Sequence, residues 1–404
     1  MLLGTGPQGP VPGRRVAVTG LGVLACCGIG PEAFWAGLLR PWTGGERRIP
    51  DSFDPTAYFG PKEVRRVDRF AQISVAAAEQ ALADAGGPGA LDVDPDRAGV
   101  IFATGIGGLE TLEEQLRVFD AKGPRRVSPF LIPMMMPNAG AGTISIRNGW
   151  RGPCETITTA CAAGTHAIAA AARLVASGRC DVVVTGGAEA AMTPLGIAAF
   201  TNMTALSSTG ESRPFDARRD GFCIAEGSGA LVLEDIEHAR RRGARIYAEI
   251  AGAGSTADAH HITAPSPSGA GAAACIELAL ADAQLAPADI GQINAHGTST
   301  PLNDLAEAQA IAKVFGTPGP PVTSTKGVTG HALGGAGAIE AVATVLSIEH
   351  RLIPPTAGYE QPDPDIALDV VAGQPRPWKP APALSNSFGF GGHNGCLVIT
   401  PVGG

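Results

Sequence analysis

Short, continuously apolar runs, most of them ending in glycine, alternate along this chain with Ala-rich helical stretches, and the alternation begins afresh after residue 245. Strands of that kind are buried on both faces, and their regular alternation with helices builds layered α/β architecture. In the first half the spacing predicts strands from Val16 to Gly20, Val100 to Thr104, Asp181 to Gly187 and Gly229 to Glu234. Helices are predicted from Pro31 to Leu39, Phe70 to Ala85, Thr165 to Val175 and Ile236 to Arg242. The second half predicts strands from Tyr247 to Gly252 and Ile290 to Ala295, and helices from Gly271 to Ala283, Leu302 to Phe315 and Gly335 to His350. A chain of 404 residues exceeds one ordinary core. We therefore expect a duplicated unit, with halves 14–245 and 246–404 behind a disordered leader at 1–13.

Composition removes several function classes. A net charge of −8 without a long basic run argues against nucleic acid as a partner. Eight cysteines show no C-x-x-C spacing, so neither a zinc site nor thioredoxin-type chemistry is expected, and reduced thiols are the simplest reading. The start of the chain has no cationic flank before an apolar core, and no apolar stretch reaches the ~20 residues of a membrane span. These features point to a cytoplasmic protein. Gly20-x-Gly22-x-x-Ala25 follows a predicted strand, but no helix opens at its third position, so a dinucleotide site is not expected.

Chemistry concentrates in three short segments. Cys161 lies in Thr158-Thr159-Ala160-Cys161-Ala162-Ala163-Gly164, at or just before a predicted helix. Unpaired N–H groups and the helix dipole favour negative charge there, which predicts a lowered thiol pKa and a reactive thiolate. His296 sits in Asn294-Ala295-His296-Gly297-Thr298-Ser299-Thr300, and His331 closes Ser324-Thr325-Lys326-Gly327-Val328-Thr329-Gly330-His331. A cysteine with two histidines in Gly/Thr-rich turns suits nucleophilic catalysis with imidazole assistance. A buried inert cysteine and capping histidines are the plainer alternative.

With these segments, and with Gly105-Ile106-Gly107-Gly108, Gly186-Gly187-Ala188-Glu189, Ser212-Arg213-Pro214-Phe215-Asp216 and Asn386-Ser387-Phe388-Gly389-Phe390-Gly391-Gly392, the chain resembles the β-ketoacyl-acyl-carrier-protein synthase II family. These are elongating condensing enzymes of the thiolase superfamily, and the likeness runs from about Arg14 to the C-terminus. It implies a thiolase-like five-layered αβαβα sandwich of two duplicated halves, normally dimeric. It further implies decarboxylative Claisen condensation of an acyl-enzyme thioester with malonyl-carrier protein, without metal or cofactor, the substrates riding on phosphopantetheine.

The resemblance assigns Cys161 as nucleophile, His296 and His331 as donors to the malonyl thioester oxygen, and Lys326 with Glu340 as an ion pair orienting the second histidine. The N–H groups of Cys161 and Phe390 would form the oxyanion hole, with the Phe390 ring as gate. Thr298 and Thr300 match pantetheine-binding threonines, and Ile106 and Phe200 match acyl-pocket residues. Lys62, Arg65, Arg66 and Arg69 match a helix that docks the acidic acyl carrier protein. Four features depart from the family pattern: Thr204 in place of a docking arginine, a short 206–211 loop, the pair His260-His261, and His393. Fatty-acid elongation as a homodimer, or polyketide elongation as a heterodimer with a chain-length factor, both fit. A noncatalytic chain-length partner usually lacks the nucleophile, and a thiolase pairs two cysteines with one principal histidine motif.

Overall fold

The computed structural model describes residues 13–403, so residues 1–12 of the expected leader lie outside the described residues. The first half contributes strands β1 (Val16–Ala25), β2 (Gly28–Ile29), β3 (Ala98–Ala103), β4 (Cys154–Ile157), β5 (Val182–Glu189) and β6 (Gly227–Asp235). The second contributes β7 (Ala248–Ala257), β8 (Gln292–Asn294), β9 (Val322–Thr323), β10 (Leu352–Ile353), β11 (Arg376–Pro377), β12 (Ala383–Gly389) and β13 (His393–Thr400).

The main strands pair in the order β4-β3-β5-β6-β1-β7-β13-β12-β8-β9. From either edge inward, two parallel pairings precede two antiparallel ones, and the halves meet at the antiparallel β1–β7 pair. Leaving out the short β2, each half also places its first strand in chain order at the centre and its third, β4 or β9, at the edge. The duplication is therefore topological, and it survives without visible sequence identity because burial pattern, not residue identity, fixes strand order.

Helices Ala163–Ala176 and Leu333–His350 pack against strands of both half-sheets, forming the central layer. The latter helix is buried along its whole length from Leu333 to Ile348, as expected of a helix apolar on every face. Helix Arg69–Asp84 covers β1, β5 and β6 from outside. Ala270–Ala283 covers β7 and β13, with Pro301–Phe315 packed on it. Helix, sheet, helix, sheet and helix make the five-layered sandwich. No helix among the described residues is long and apolar enough to cross a membrane.

Two predicted strands stop five residues short of their observed ends. β1 runs through Gly20 and Gly22 to Ala25 because both glycines face helix Arg69–Asp84. A Cβ on Gly22 would lie 1.9 Å from the Ala77 carbonyl oxygen and one on Gly20 2.1 Å from that of Ala81. The apparent dinucleotide fingerprint is a helix–strand contact. β7 likewise continues five residues beyond Gly252, paired with β13. The β12–β13 hairpin and helices Leu109–Lys122, Ala139–Asn148 and Pro194–Asn202 were absent from the predicted elements.

Candidate active site

β4 leads into a tight elbow in which Ala160 adopts φ 50°, a left-handed conformation rare for a residue with a side chain. Cys161 follows, 7% exposed, two residues before helix Ala163–Ala176. The backbone N–H of Phe390, from the turn joining β12 to β13, and the N–H of Cys161 itself both favour negative charge on Sγ. Gly389 is what lets that turn approach: a Cβ there would sit 3.0 Å from both Cys161 N and the Thr159 carbonyl oxygen. The expected lowering of the thiol pKa does not prevail. Burial pushes Cys161 up to about 11, against the opposing pull of Lys326's charge and the two N–H donors. At rest the sulfur is a thiol, and its proton must leave as bond formation begins.

His296 follows the end of β8 and is held by its backbone. Its N–H donates to Glu307 Oε1 at 2.8 Å, and the Gly297 N–H donates to Oε2 at 2.7 Å. Asn386 Nδ2 donates to the same carboxylate at 3.3 Å. Lys326, 1% exposed, donates from Nζ to the His296 carbonyl oxygen at 2.6 Å and pairs with Glu340. The same Nζ lies 3.3 Å from His296 Nδ1. An ammonium group can only donate, so Nδ1 accepts and the ring hydrogen resides on Nε2. The lysine therefore fixes the tautomer of the first histidine, whereas the resemblance had assigned it to orienting the second.

His331 is anchored by its N–H to the Cys223 carbonyl oxygen at 2.8 Å, and its own carbonyl oxygen accepts from Ala225 N–H at 3.0 Å. Its ring meets Phe222 edge-on at 5.2 Å and His296 edge-on at 5.3 Å between centroids. Burial first, and the Lys326 charge second, hold both imidazoles well below the ordinary histidine pKa. Burial also lifts Glu340 to about 7, partly offset by Lys326. Cys161 Sγ and nitrogens of both rings lie within 4.8 Å of one another. Thiolate and imidazole could ligate a soft metal such as zinc, but the buried ammonium beside His296 opposes a cation there.

Around the sulfur lies an apolar cluster of Ala191, Met192, Phe222, Ile224 and Leu333, with Phe200 packed against it. Phe200 meets Phe222 edge-on at 5.6 Å. Ile106 is 39% exposed, its N–H 3.3 Å from Glu189 Oε1. Thr298 and Thr300 join through their hydroxyls at 3.0 Å in the turn between His296 and helix Pro301–Phe315, which Thr300 caps.

Among the basic residues, Lys62, Arg65 and Arg66 are exposed, the last two on the short turn Val64–Arg66. Arg69 departs from them. It begins the next helix and points inward, bonded to Glu226 at 2.9 Å with its guanidinium 5.0 Å from the Phe53 ring centre. A carboxylate buried within reach captures this arginine, so the exposed set has three members. His260 and His261 are both exposed.

Glu307 and Glu189 escaped notice in the sequence. Glu189 is buried and receives the N–H groups of Gly105 at 2.7 Å and Gly334 at 3.1 Å, tying the Ile106 segment to the start of helix Leu333–His350. Burial lifts both carboxyls to about 7. Glu189 stood within a quoted motif without a role, and Glu307 carried no local signal, since its partners are the backbone N–H groups of His296 and Gly297 and the side chain of Asn386.

A thiol at the mouth of a helix, backed by two neutral imidazoles on this fold, defines the class of enzymes that move acyl groups through a cysteine thioester. Residues 40–239 match the N-terminal domain of the β-ketoacyl synthases and residues 247–360 their C-terminal domain. The chain belongs to the β-ketoacyl synthase family. It is 46% identical to the 3-oxoacyl-[acyl-carrier-protein] synthase 2 of Synechocystis sp., covering 96% of this chain and 98% of that one. Among solved structures it resembles the ishigamide ketosynthase/chain length factor, with a TM-score of 0.91, 35% identity and coverage of 97% and 100%. It also resembles one chain of a structure of a type II polyketide acyl-carrier protein in complex with its ketosynthase bound to the hexaketide, with a TM-score of 0.87, 35% identity and coverage of 96% and 100%.

Proposed function

We propose that the protein is a β-ketoacyl-acyl-carrier-protein synthase that extends an acyl chain by decarboxylative Claisen condensation. Cys161 sulfur attacks the thioester carbonyl of an acyl-carrier protein. The tetrahedral oxyanion rests on the N–H groups of Cys161 and Phe390, and the phosphopantetheine thiol leaves with a proton, giving the acyl-enzyme. Malonyl-carrier protein then enters. His296 Nε2–H and a ring N–H of His331 donate to its thioester oxygen as carbon dioxide departs, stabilising the enolate. The enolate carbon attacks the acyl carbonyl on Cys161, and the sulfur leaves as the new carbon–carbon bond closes. The reading is carried by one observation: the thiol and both imidazoles within 4.8 Å in a buried apolar setting.

Lys326 and Glu340 set the tautomer and charge of the site, Thr298 and Thr300 line the pantetheine arm, and Ile106 and Phe200 border the acyl pocket. No metal or further cofactor is part of this proposal. We place the boundary of the two halves at 245/246, between helix Ile236–Arg241 and β7, and the protein in the cytoplasm, where its eight free thiols suit a reducing compartment. Purified protein given acyl- and malonyl-carrier protein should release carbon dioxide and yield a β-ketoacyl-carrier protein two carbons longer. Mass spectrometry of the carrier checks this, and an unextended carrier would end the proposal.

Fatty-acid elongation as a homodimer is the favoured pathway, because identity to a 3-oxoacyl-[acyl-carrier-protein] synthase 2, at 46%, exceeds the 35% to a chain of the ishigamide ketosynthase/chain length factor and to a chain of the type II polyketide complex. The high structural likeness to a ketosynthase/chain length factor supports the second reading, a heterodimeric polyketide subunit. Native mass spectrometry distinguishes them by finding one kind of subunit or two.

Carrier proteins are acidic, and so is this chain, which makes the exposed Lys62, Arg65 and Arg66 the proposed landing site. Reversing Arg65 and Arg66 to glutamate should raise the KM for acyl-carrier protein about 10-fold or more at low salt, with little change at high salt. Titration at two ionic strengths checks it, and an unchanged KM at low salt would remove this surface from the docking path.

A further inference from the structure

The two N–H groups at the Cys161 sulfur come from different parts of the chain, one from the elbow after β4 and the other from the β12–β13 turn. Nothing in either segment alone sets their separation, yet an oxyanion hole works only when both donors converge on one point. Helix Ala163–Ala176 provides the link through its first turn. Thr165 Oγ1 meets Ser387 Oγ of β12 at 2.7 Å. The next residue, His166, has Nε2 3.1 Å from the Asn394 carbonyl oxygen of β13 and 3.2 Å from Ser255 Oγ of β7. Its Nδ1 lies 2.7 Å from Thr159 Oγ1, two residues before the nucleophile.

These partners fix the ring's hydrogen. A carbonyl oxygen only accepts, so Nε2 carries the hydrogen and Nδ1 accepts from the Thr159 hydroxyl. Burial lowers the ring's pKa, so the imidazole stays neutral and keeps this polarity. Packing leaves the ring little freedom, for a Cβ on Gly395 would lie 3.1 Å from its Nε2 and Cδ2. Thus one side chain is bonded both to the elbow that carries Cys161 and to the strand that begins just after Phe390.

We propose that His166 is a positioning residue that holds the Cys161 elbow and the Phe390 turn in the register where their two N–H groups converge on a developing oxyanion. This rests on the oxyanion-hole assignment made under the proposed function. It does not touch substrate; it acts through Thr159 and Asn394.

The test uses the full-length His166→Ala, His166→Gln and Thr159→Val enzymes, with folding checked by circular dichroism and melting temperature. Acyl-enzyme formation from acyl-carrier protein should fall 10- to 100-fold in kcat for His166→Ala, with KM within about twofold. Alkylation of Cys161 by iodoacetamide needs no oxyanion hole, so it should fall clearly less than acyl transfer, by only the part that weaker N–H support of the thiolate costs. His166→Gln, which still offers an N–H toward Asn394, should recover part of the loss. Thr159→Val removes only the hydroxyl, and combining it with His166→Ala should add little further loss. An unchanged kcat in folded His166→Ala would overturn the proposal. So would a loss of alkylation equal to the loss of acyl transfer, or full additivity in the double variant. If wild-type enzyme forms no acyl-enzyme at all, the functional reading fails first and takes this inference with it.

Discussion

Cys161→Ala should lower acyl transfer by about 10⁴-fold or more while leaving the fold intact, because no other group in the pocket can hold the chain as a thioester. The nearest competing nucleophiles are the two imidazoles, and both are committed to hydrogen bonds or to ring packing. Stability should shift by no more than about 1 kcal/mol, since the exchange removes one sulfur atom and buries no new polar group. The histidines remain, so carbon dioxide release from malonyl-carrier protein should persist in this variant. Incubation with labelled acyl-carrier protein, followed by intact-mass measurement, checks the first half; a headspace assay checks the second. Persistent labelling at the alanine enzyme would refute the nucleophile's assignment.

His296→Ala and His331→Ala should each do the reverse. Acylation of Cys161 should survive, whereas decarboxylation should fall about 10²–10³-fold, the usual consequence of deleting one preorganised donor to a developing oxyanion. The electrostatics add a pH signature. Both rings have folded pKa values well below 6.5, so they stay neutral as the medium is acidified through that value. The decarboxylation rate should accordingly hold level through pH 6.5 on the acid side, with no step from imidazole protonation. A titration midpoint near 6.5 that disappears in either alanine variant would show that the rings charge in this range, and the neutral-donor mechanism would fall. Undiminished carbon dioxide release in the variants would count equally against it.

The legibility of the site followed the range of the interactions. Cys161, His296 and His331 each sit in a short Gly/Thr-rich segment whose composition is unusual in itself, so local reading picked them out. Glu307, Glu189 and His166 are ordinary residues on helices or strands, and their importance comes from partners elsewhere. Glu189 bonds to Gly334, 145 residues away, and His166 to Asn394, 228 residues away. The pairing of Arg69 was hidden for the same reason, since its partner Glu226 lies 157 residues along the chain. The thiol pKa failed differently. The position just before a helix start was correctly foreseen, but the depth of burial, which dominates the thiol's pKa, is a property of the assembled layers.

The sequence by itself determined the strand–helix alternation and the three segments that the fold brings together around Cys161, because these depend on periodicity and composition over fewer than twenty residues. Tertiary structure alone decided that Gly20 and Gly22 face a helix, that Arg69 turns inward, and that Lys326 sets the tautomer of His296 rather than His331. Those outcomes depend on which segments become neighbours when two half-sheets close around a shared pair of helices. Desolvation and hydrogen-bond satisfaction act only after that closure, so no local pattern could encode them.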